Sequence, residues 1–199
     1  MPKIFYMNGG NNNKFKSQGF TLVEMLVTVT VFSLIVGTST GIFVSAIKIQ
    51  RYNLATQELL NQTSYALEYM DRFLRMARKD MTGTCLTTAG AGANYENPSG
   101  NATIQFLNYN GVCQKFYLGG SKLMVDLDVS DPFAGEFDLT SDKFNVTSLK
   151  FQIAGEQQTD IYQPRVTIFM TIEAVSSSQP KPKLTVQTTI SQRALDLEE

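Results

Sequence analysis

Residues 16–24 read KSQGFTLVE, and residues 25–47 continue as MLVTVTVFSLIVGTSTGIFVSAI. Three lysines are the charged residues before Gly19, Glu24 is the next charge, and the 23 residues that follow carry none. As a helix that rises 1.5 Å per residue, the uncharged run is roughly 34 Å long, enough to cross a hydrocarbon core of about 30 Å. A basic segment followed by such a run predicts a membrane-inserted, exported protein.

Glu24 helps to choose among three explanations of this segment. A secretory signal peptide has an apolar region of about 7–15 residues closed by a small-residue cleavage site, whereas this run is longer and no Ala-x-Ala site closes it cleanly. A plain signal anchor explains the hydrophobicity and the basic flank. It does not explain a carboxylate inside a spanning helix, which costs about 2.5–3.5 kcal/mol on insertion scales.

The third explanation rests on the string GFTLVE at residues 19–24, with a basic residue before it and an apolar helix after it. This arrangement resembles the processing signal of type IV prepilins and pseudopilins, and the resemblance covers residues 16–47. It implies that a prepilin peptidase cuts between Gly19 and Phe20, and that Phe20 becomes the N-methylated N-terminus. It also implies that Glu24 meets the Phe20 amine of a neighbouring subunit, so that the pair fixes the register of assembly.

Two details depart from the common pattern of that family. A leader of nineteen residues is long beside many prepilin leaders, and Gly41 stands where many pilins carry a helix-breaking proline. Together with the composition, the resemblance implies a cytoplasmic leader, a transmembrane helix, an amphipathic helix that continues into the head domain, and an antiparallel β-rich head. In that order these segments are residues 1–19, 20–47, 48–82 and 83–199.

The amphipathic segment carries one face of mostly apolar residues at alternating spacings of four and three, namely Thr56, Leu60, Thr63, Leu67, Met70, Leu74 and Ala77. This periodicity predicts a helix that packs on a sheet. We expect the helix to end near Thr82 and Gly83. We also expect the stripe from Leu60 to Ala77 to contact partner subunits.

Six strand candidates follow a loop at residues 83–101. They are residues 102–107, 112–118, 122–127, 146–153, 165–175 and 184–191. The last three alternate apolar and polar residues, which is typical of antiparallel strands with one buried face, and residues 176–182 read as a hairpin loop. The expected fold class is therefore α+β, with a long N-terminal helix packed on an antiparallel β-sheet, and the resemblance implies that it is pilin-like.

Cys85 and Cys113 are the two cysteines of the chain, and both lie in the segment expected outside the membrane. Export permits disulfides, so we expect a bond between them. It would tie the loop after the helix to an early strand and stabilise the fold by about 3.5 kcal/mol in the chain-entropy model. The alternative is two buried free thiols.

The composition excludes several kinds of chemistry. The chain has no His, two Cys and a net charge of -1, so a Ser-His-Asp triad and a four-cysteine zinc site are impossible and general nucleic-acid binding is not indicated. We expect no enzyme activity, no catalytic residue, no cofactor and no bound metal. An acidic stretch, Asp126, Asp128, Asp131, Glu136 and Asp138, could bind Ca²⁺, but it lacks EF-hand spacing, and a solvated acidic loop is the more common arrangement.

The resemblance implies a minor pilin or pseudopilin subunit, assembled into a type IV pilus or a type II secretion pseudopilus. The pattern of the last strands is most similar to the J-type minor pseudopilins. The implied partners are the prepilin peptidase, other pilins through the N-terminal helix, the inner-membrane assembly platform and, before assembly, membrane lipid. No nucleic-acid partner is expected. The N-terminus would be cytoplasmic and the head periplasmic or extracellular.

The alternative function is an adhesive or ligand-binding module at a filament tip, for example in DNA uptake. Residues 83–101 contain no Lys or Arg, which weakens the DNA version. Four aromatic residues, Tyr95, Tyr109, Phe116 and Tyr117, would either form an exposed recognition surface or, more commonly, pack in the core.

Overall fold

The computed structural model describes residues 19–131, 135–155, 162–175 and 181–193. The expected leader before Gly19 and residues 176–180 of the expected hairpin loop lie outside these ranges. One helix is followed by seven strands: α1 (Leu22–Arg75), β1 (Thr103–Leu107), β2 (Cys113–Gly119), β3 (Lys122–Asp126), β4 (Glu136–Asp138), β5 (Phe144–Ala154), β6 (Arg165–Ala174) and β7 (Lys183–Ser191). The chain divides into two compact units after Lys48, and α1 contributes residues to both.

The strands form two antiparallel sheets. One sheet has the order β1-β2-β3-β4 and the other has the order β5-β6-β7. Each strand pairs with the strand next to it in sequence, so the connections within a sheet are hairpins. The α+β fold class with antiparallel pairing is confirmed, and the strand-rich part consists of two sheets.

Alternating burial along the strands reflects their sequence pattern. In β6, Val166, Ile168, Met170 and Ile172 are buried while the residues between them are less so. These side chains join one hydrophobic cluster that also contains α1 residues and strands of both sheets. The core therefore lies where the second half of the helix and the two sheets meet. Because successive side chains of a strand point to opposite faces of the sheet, the alternating apolar residues all face this core.

The buried face of α1 consists of Leu59, Thr63, Ala66, Met70 and Leu74. The expected stripe is shifted at its start, since Leu60 is 45% exposed and the position before it is buried. An α-helix has 3.6 residues per turn, so residues on one face are three or four positions apart. The observed spacing from Leu59 to Thr63 is four, whereas the predicted spacing from Leu60 to Thr63 is three, and this difference moves the start of the face by one position. Most of the stripe is occupied by the protein's own core, and exposed Leu60 is the member that remains open to a partner.

The helix ends at Arg75, before the expected end near residues 82–83. The cause is a competing set of hydrogen bonds, because the Arg78 N–H donates to the Leu107 carbonyl at 2.8 Å. The main chain thus leaves the helix to pair with the end of β1.

The carbonyls at the end of the helix are bonded by residues far away in sequence. The Tyr95 hydroxyl donates to the Leu74 carbonyl at 2.6 Å. The Arg193 N–H donates to the Arg75 carbonyl at 2.8 Å, and Gln192 Nε2 donates to the Ala77 carbonyl at 2.8 Å. Carbonyls that have no partner inside a helix are thereby satisfied.

Candidate functional site

The start of α1 is set by a threonine cap. The Glu24 N–H donates to Thr21 Oγ1 at 3.2 Å, and the Met25 N–H donates to the Thr21 carbonyl at 3.2 Å. Thr21 is therefore the N-cap residue, with a side-chain oxygen on one of the main-chain donors that the first turn leaves free. This role was not predicted from the sequence, although Thr followed three residues later by Glu is the spacing of a capping box.

The Gly19–Phe20 bond lies just before this cap, outside the helix. Both residues are exposed, and the Phe20 side chain is 76% accessible. Gly19 has no side chain, and a Cβ built on it would meet no atom within 4 Å. A peptide bond in a non-helical, exposed segment is the kind of bond that a peptidase can bind in extended form.

Glu24 occupies the first turn of the helix. Its main-chain N–H is used by the cap, whereas its exposed carboxylate accepts no hydrogen bond from the residues that the structure describes. A negative charge in the first turn is favoured by the helix dipole. The carboxylate is therefore compatible with the helix and remains available to a group from another molecule.

By length and composition α1 could cross a membrane, and the uncharged residues 25–47 lie in its first half. Five hydroxyl groups of this first half are bonded within the helix. The Thr28, Ser33 and Thr40 hydroxyls donate to carbonyls three or four residues earlier at 2.8–2.9 Å. Internally bonded hydroxyls avoid the cost of an unpaired polar group in hydrocarbon.

The expected Cys85–Cys113 disulfide is confirmed, with the two Cα atoms 5.3 Å apart. Both cysteines lie in a small second cluster of buried residues with Leu86 and Ala93. Gln105 Nε2 donates to the Cys85 carbonyl at 2.7 Å. The bond joins the loop after α1 to the first residue of β2, as the sequence analysis expected.

Asp80 organises the same loop and was missed from the sequence. It is 1% exposed, and its carboxylate accepts the N–H groups of four residues at 2.8–3.1 Å: Thr82, Gly83, Cys85 and Leu86. Burial opposes ionisation, but hydrogen bonds from the Leu86 N–H, the Thr82 hydroxyl and the Cys85 and Thr82 N–H groups outweigh it and lower the pKa of Asp80 to about 2. Asp before Thr and Gly is a turn signal that sequence reasoning could have used.

Three of the five residues in the acidic stretch considered for Ca²⁺ are paired with lysines. Lys115 Nζ lies 3.0 Å from Asp126 Oδ2 and 3.9 Å from Glu136 Oε1, and Lys122 Nζ contacts Asp138 and Asp142. Within the described part of the chain, no group of three or more His, Cys, Asp or Glu residues is placed to hold a metal ion. The arrangement is a set of ion pairs around two lysines.

The aromatic residues divide between core and surface. Tyr95 and Phe116 are fully buried, whereas Tyr109 is 44% exposed. The ring centroid of Tyr109 lies 6.2 Å from that of Phe73, which belongs to α1. Core packing therefore accounts for two of the four residues that were considered for a recognition surface.

Comparison with known proteins identifies the first segment of the chain. A family model described as the prokaryotic N-terminal methylation motif matches residues 14–40. The match contains Gly19, Phe20, the Thr21 cap and Glu24, together with the first part of α1. No curated protein and no solved structure matches the chain. The head is therefore interpreted from its own geometry.

Proposed function

From the prepilin-type methylation motif that the chain carries at its N-terminus, we propose that it is a minor pilin or pseudopilin subunit of a type IV pilus or a type II secretion pseudopilus. The observation that supports this most is the arrangement at the start of α1. An exposed, non-helical Gly19–Phe20 bond is followed at once by a capped apolar helix with Glu24 in its first turn.

Processing is the first step of the proposed function. Prepilin peptidase would hydrolyse the Gly19–Phe20 bond, and the new Phe20 amine would be N-methylated. Because Gly19 lacks a side chain and lies outside the helix, the bond can enter an active site without unwinding α1. The cap at Thr21 comes after the cut, so the mature chain keeps its helix start.

Assembly is the second step. The positive Phe20 amine of one subunit would meet the Glu24 carboxylate of a neighbour as the N-terminal helices pack together. A buried carboxylate in an apolar environment is stabilised by a partner charge, and apolar side chains alone specify the axial register of packed helices poorly. The charge pair would therefore fix how far one subunit is displaced along the next.

The proposed location follows from the same motif. Before assembly the first half of α1 spans the cytoplasmic membrane, with the N-terminus on the cytoplasmic side and the head on the outer side. The partners are the prepilin peptidase, the inner-membrane assembly platform and other pilins through the N-terminal helix. The role is structural rather than enzymatic, and the confirmed disulfide is compatible with an oxidising compartment for the head.

The test is to express the full chain with a prepilin peptidase and to sequence the mature N-terminus. We expect Phe20 as the first residue and a methylated amine by mass spectrometry. Gly19→Leu should abolish processing, because a bulky side chain at the cut is poorly accommodated. Gly10→Leu, nine residues earlier in the leader, is the matched control and should be processed normally. Any other mature terminus would overturn the assignment.

A ligand-binding module on a pilin anchor is the second candidate function. One observation favours it, a cavity in the head domain beside the loop after α1.

A further inference from the structure

Strand β7 (Lys183–Ser191) is the last strand of its sheet and has an open edge. The sheet has the order β5-β6-β7, and β7 pairs with β6 along its whole length in one regular register. Within the described part of the chain, no residue forms a main-chain hydrogen bond with the other edge of β7. Unpaired main-chain groups on an edge strand are a template for a further strand.

The register shows which residues of β7 turn their main-chain groups to this edge. Just beyond one end of the strand, the Gln192 N–H donates to the Pro164 carbonyl at 3.0 Å. Beyond the other end, the Ala174 N–H donates to the Pro182 carbonyl at 3.0 Å. Both pairs continue the register of β6 with β7, and bonded pairs alternate with non-bonded pairs in an antiparallel ladder. The even-numbered residues of β7 are therefore bonded to β6, and the odd-numbered ones direct their N–H and C=O groups outward: Lys183, Thr185, Gln187, Thr189 and Ser191.

This edge has little of the protection that keeps an edge strand single. Charged residues, prolines and bulges are the common protections, whereas β7 contains one charged residue, Lys183, no proline and no register shift against β6. Leu184 and Val186, on the core side of the strand, are half-buried, although the residues opposite them in β6 are buried. A further strand beside β7 would cover these apolar side chains.

The open edge is complementary to a second copy of itself. When two β7 strands run antiparallel about Gln187, each odd-numbered residue lies opposite another odd-numbered residue, so every outward N–H meets an outward C=O. Thr185 then lies opposite Thr189 of the second copy. Lys183, the charged residue of the strand, lies opposite Ser191 and meets no like charge. This register is the one that pairs all five outward-directed residues.

The side chains of the outer face are complementary in the same register. Thr167 and Thr189 are joined through their hydroxyl groups at 3.0 Å across β6 and β7. Thr171 and Thr185 are joined in the same way at 3.2 Å. Because Thr185 lies beside Thr189 of the second copy, each row of two threonines would grow to four. Such cross-strand threonine pairs stabilise a sheet.

We propose that the head forms a two-fold dimer with a second copy of this chain, by antiparallel pairing of β7 about Gln187. Two three-stranded sheets then join into one continuous sheet, in which the half-buried Leu184 lies opposite Ile190 of the second copy on the core face. A two-fold interface uses the same surface on both copies and closes after two, so it gives a dimer rather than a fibre. The pairing involves the head alone, so its test is independent of processing at Gly19 and of filament assembly.

The first experiment measures the molar mass of the full chain in detergent micelles by light scattering, together with the exchange rate of individual amide hydrogens by NMR. We expect a concentration-dependent dimer in which the Thr185, Gln187 and Thr189 amides exchange slowly, and faster exchange of these amides in the diluted monomer. A monomer at all concentrations would overturn the proposal. A dimer in which these amides exchange freely would place the contact elsewhere, for example between the apolar helices, and would also overturn it. Slow exchange of the same amides in a monomer would show that the chain's own residues cover the edge, which is the third contradicting result.

Gln187→Pro tests the main-chain pairing. It removes an outward N–H and no bond to β6, and proline is tolerated on an edge strand when the lost N–H faces outward. Dimer affinity should fall at least about ten-fold, because each copy loses a hydrogen bond at the centre of the interface. Gln187→Thr, which keeps the N–H, is the matched control and should dimerise like the wild type. An unchanged affinity in the proline variant would contradict the pairing, and the cross-linking test below decides the matter if that variant does not fold.

Gln187→Cys places a thiol at the two-fold axis of the proposed dimer. Opposite residues of a bonded antiparallel pair have Cα atoms about 5.5 Å apart, within the span of about 4.4–6.8 Å that a disulfide bridges. Oxidation should therefore give a covalent dimer on a non-reducing gel. Lys150→Cys is the matched control, because Lys150 is exposed in the same cross-strand row on β5, two strands away, and it should stay monomeric. Equal cross-linking of the two variants, or none in either, would overturn the proposal.

Discussion

The Glu24 carboxylate and the Glu24 main-chain N–H have different tasks. The N–H donates to Thr21 Oγ1 and so helps to start the helix, whereas the exposed carboxylate accepts no hydrogen bond from the described residues. A substitution that changes only the side chain should therefore leave the helix cap intact. This separation makes Glu24 a clean position at which to test assembly.

Glu24→Leu should insert into the membrane as well as the wild type or better, since a charge that is costly in hydrocarbon is removed. Its incorporation into filaments should fall, because the Phe20 amine of the neighbour loses its partner. Membrane fractionation measures the first quantity, and immunoblots of sheared filaments measure the second. Glu24→Gln, which keeps the shape and removes the charge, should behave in the same way. A leucine variant that assembles at normal levels would exclude the register role.

Asp80→Asn should destabilise the head by about 1–3 kcal/mol. One carboxylate oxygen becomes an NH₂ group that faces main-chain N–H donors, so buried hydrogen bonds of the loop are lost. The measurement is the free energy of unfolding in urea. Asp71→Asn, which removes an exposed helix ion pair, is the control and should change stability by less than about 0.5 kcal/mol.

The same residue should give the head a specific acid sensitivity. The pKa of Asp80 is lowered from 3.8 to about 2 in the folded state. Its contribution to stability is therefore fully present above its ordinary pKa and is lost as the pH falls toward the folded value. The midpoint temperature of thermal unfolding should fall less steeply between pH 5 and pH 2 in Asp80→Asn than in the wild type. Parallel curves would show that the carboxylate has no role in acid unfolding.

At the scale of elements, the disulfide holds the loop after α1 against β2. The two cysteines are separated by 28 positions. For a loop of this length the chain-entropy model predicts that breaking the disulfide lowers the free energy of unfolding by about 3.5 kcal/mol. The Cys85→Ala, Cys113→Ala double variant should unfold at a lower urea concentration than the oxidised wild type. Reduced wild type should match the variant. Identical midpoints with and without reductant would contradict a stabilising bond.

The strands show how much of the fold is present in the sequence. The six expected strands occur with their ends displaced by at most two residues, because an alternating apolar face is a local signal. Strand β4 was missed because it has three residues, all exposed, and pairs with β3 only in the folded head. The end of α1 was misplaced because a hydrogen bond to Leu107 decides it, and no local spacing reports such a contact.

The candidate site shows the same limit at finer scale. Gly19, Phe20 and Glu24 could be proposed from the sequence because their motif is contiguous. Asp80 was not predicted, because its importance comes from main-chain N–H groups that folding brings to its carboxylate. Residue types along the chain do not record which main-chain donors will meet which side chain.

For the whole molecule, we expect a minor, tip-proximal subunit. In a filament each head must fit against its neighbours at a small axial rise. This head has a long loop region between α1 and β1, and between β3 and β5 the described residues form only the short β4. Such segments are easier to accommodate at an end, where one face stays free. Quantitative proteomics of sheared filaments should find this chain far below the major subunit, and finding it as the most abundant one would contradict the minor role.

The contacts at the end of α1 also set an order of events in time. The ribosome delivers the helix first, yet Gln192, which bonds the Ala77 carbonyl, is synthesised 115 residues later. At about 5–20 residues per second, that interval is roughly 6 to 23 seconds. Until then the Ala77 carbonyl, just beyond the end of the helix, lacks this partner. A nascent head is therefore exposed to proteases and to premature association for most of its synthesis, and it closes only when the end of the last strand arrives.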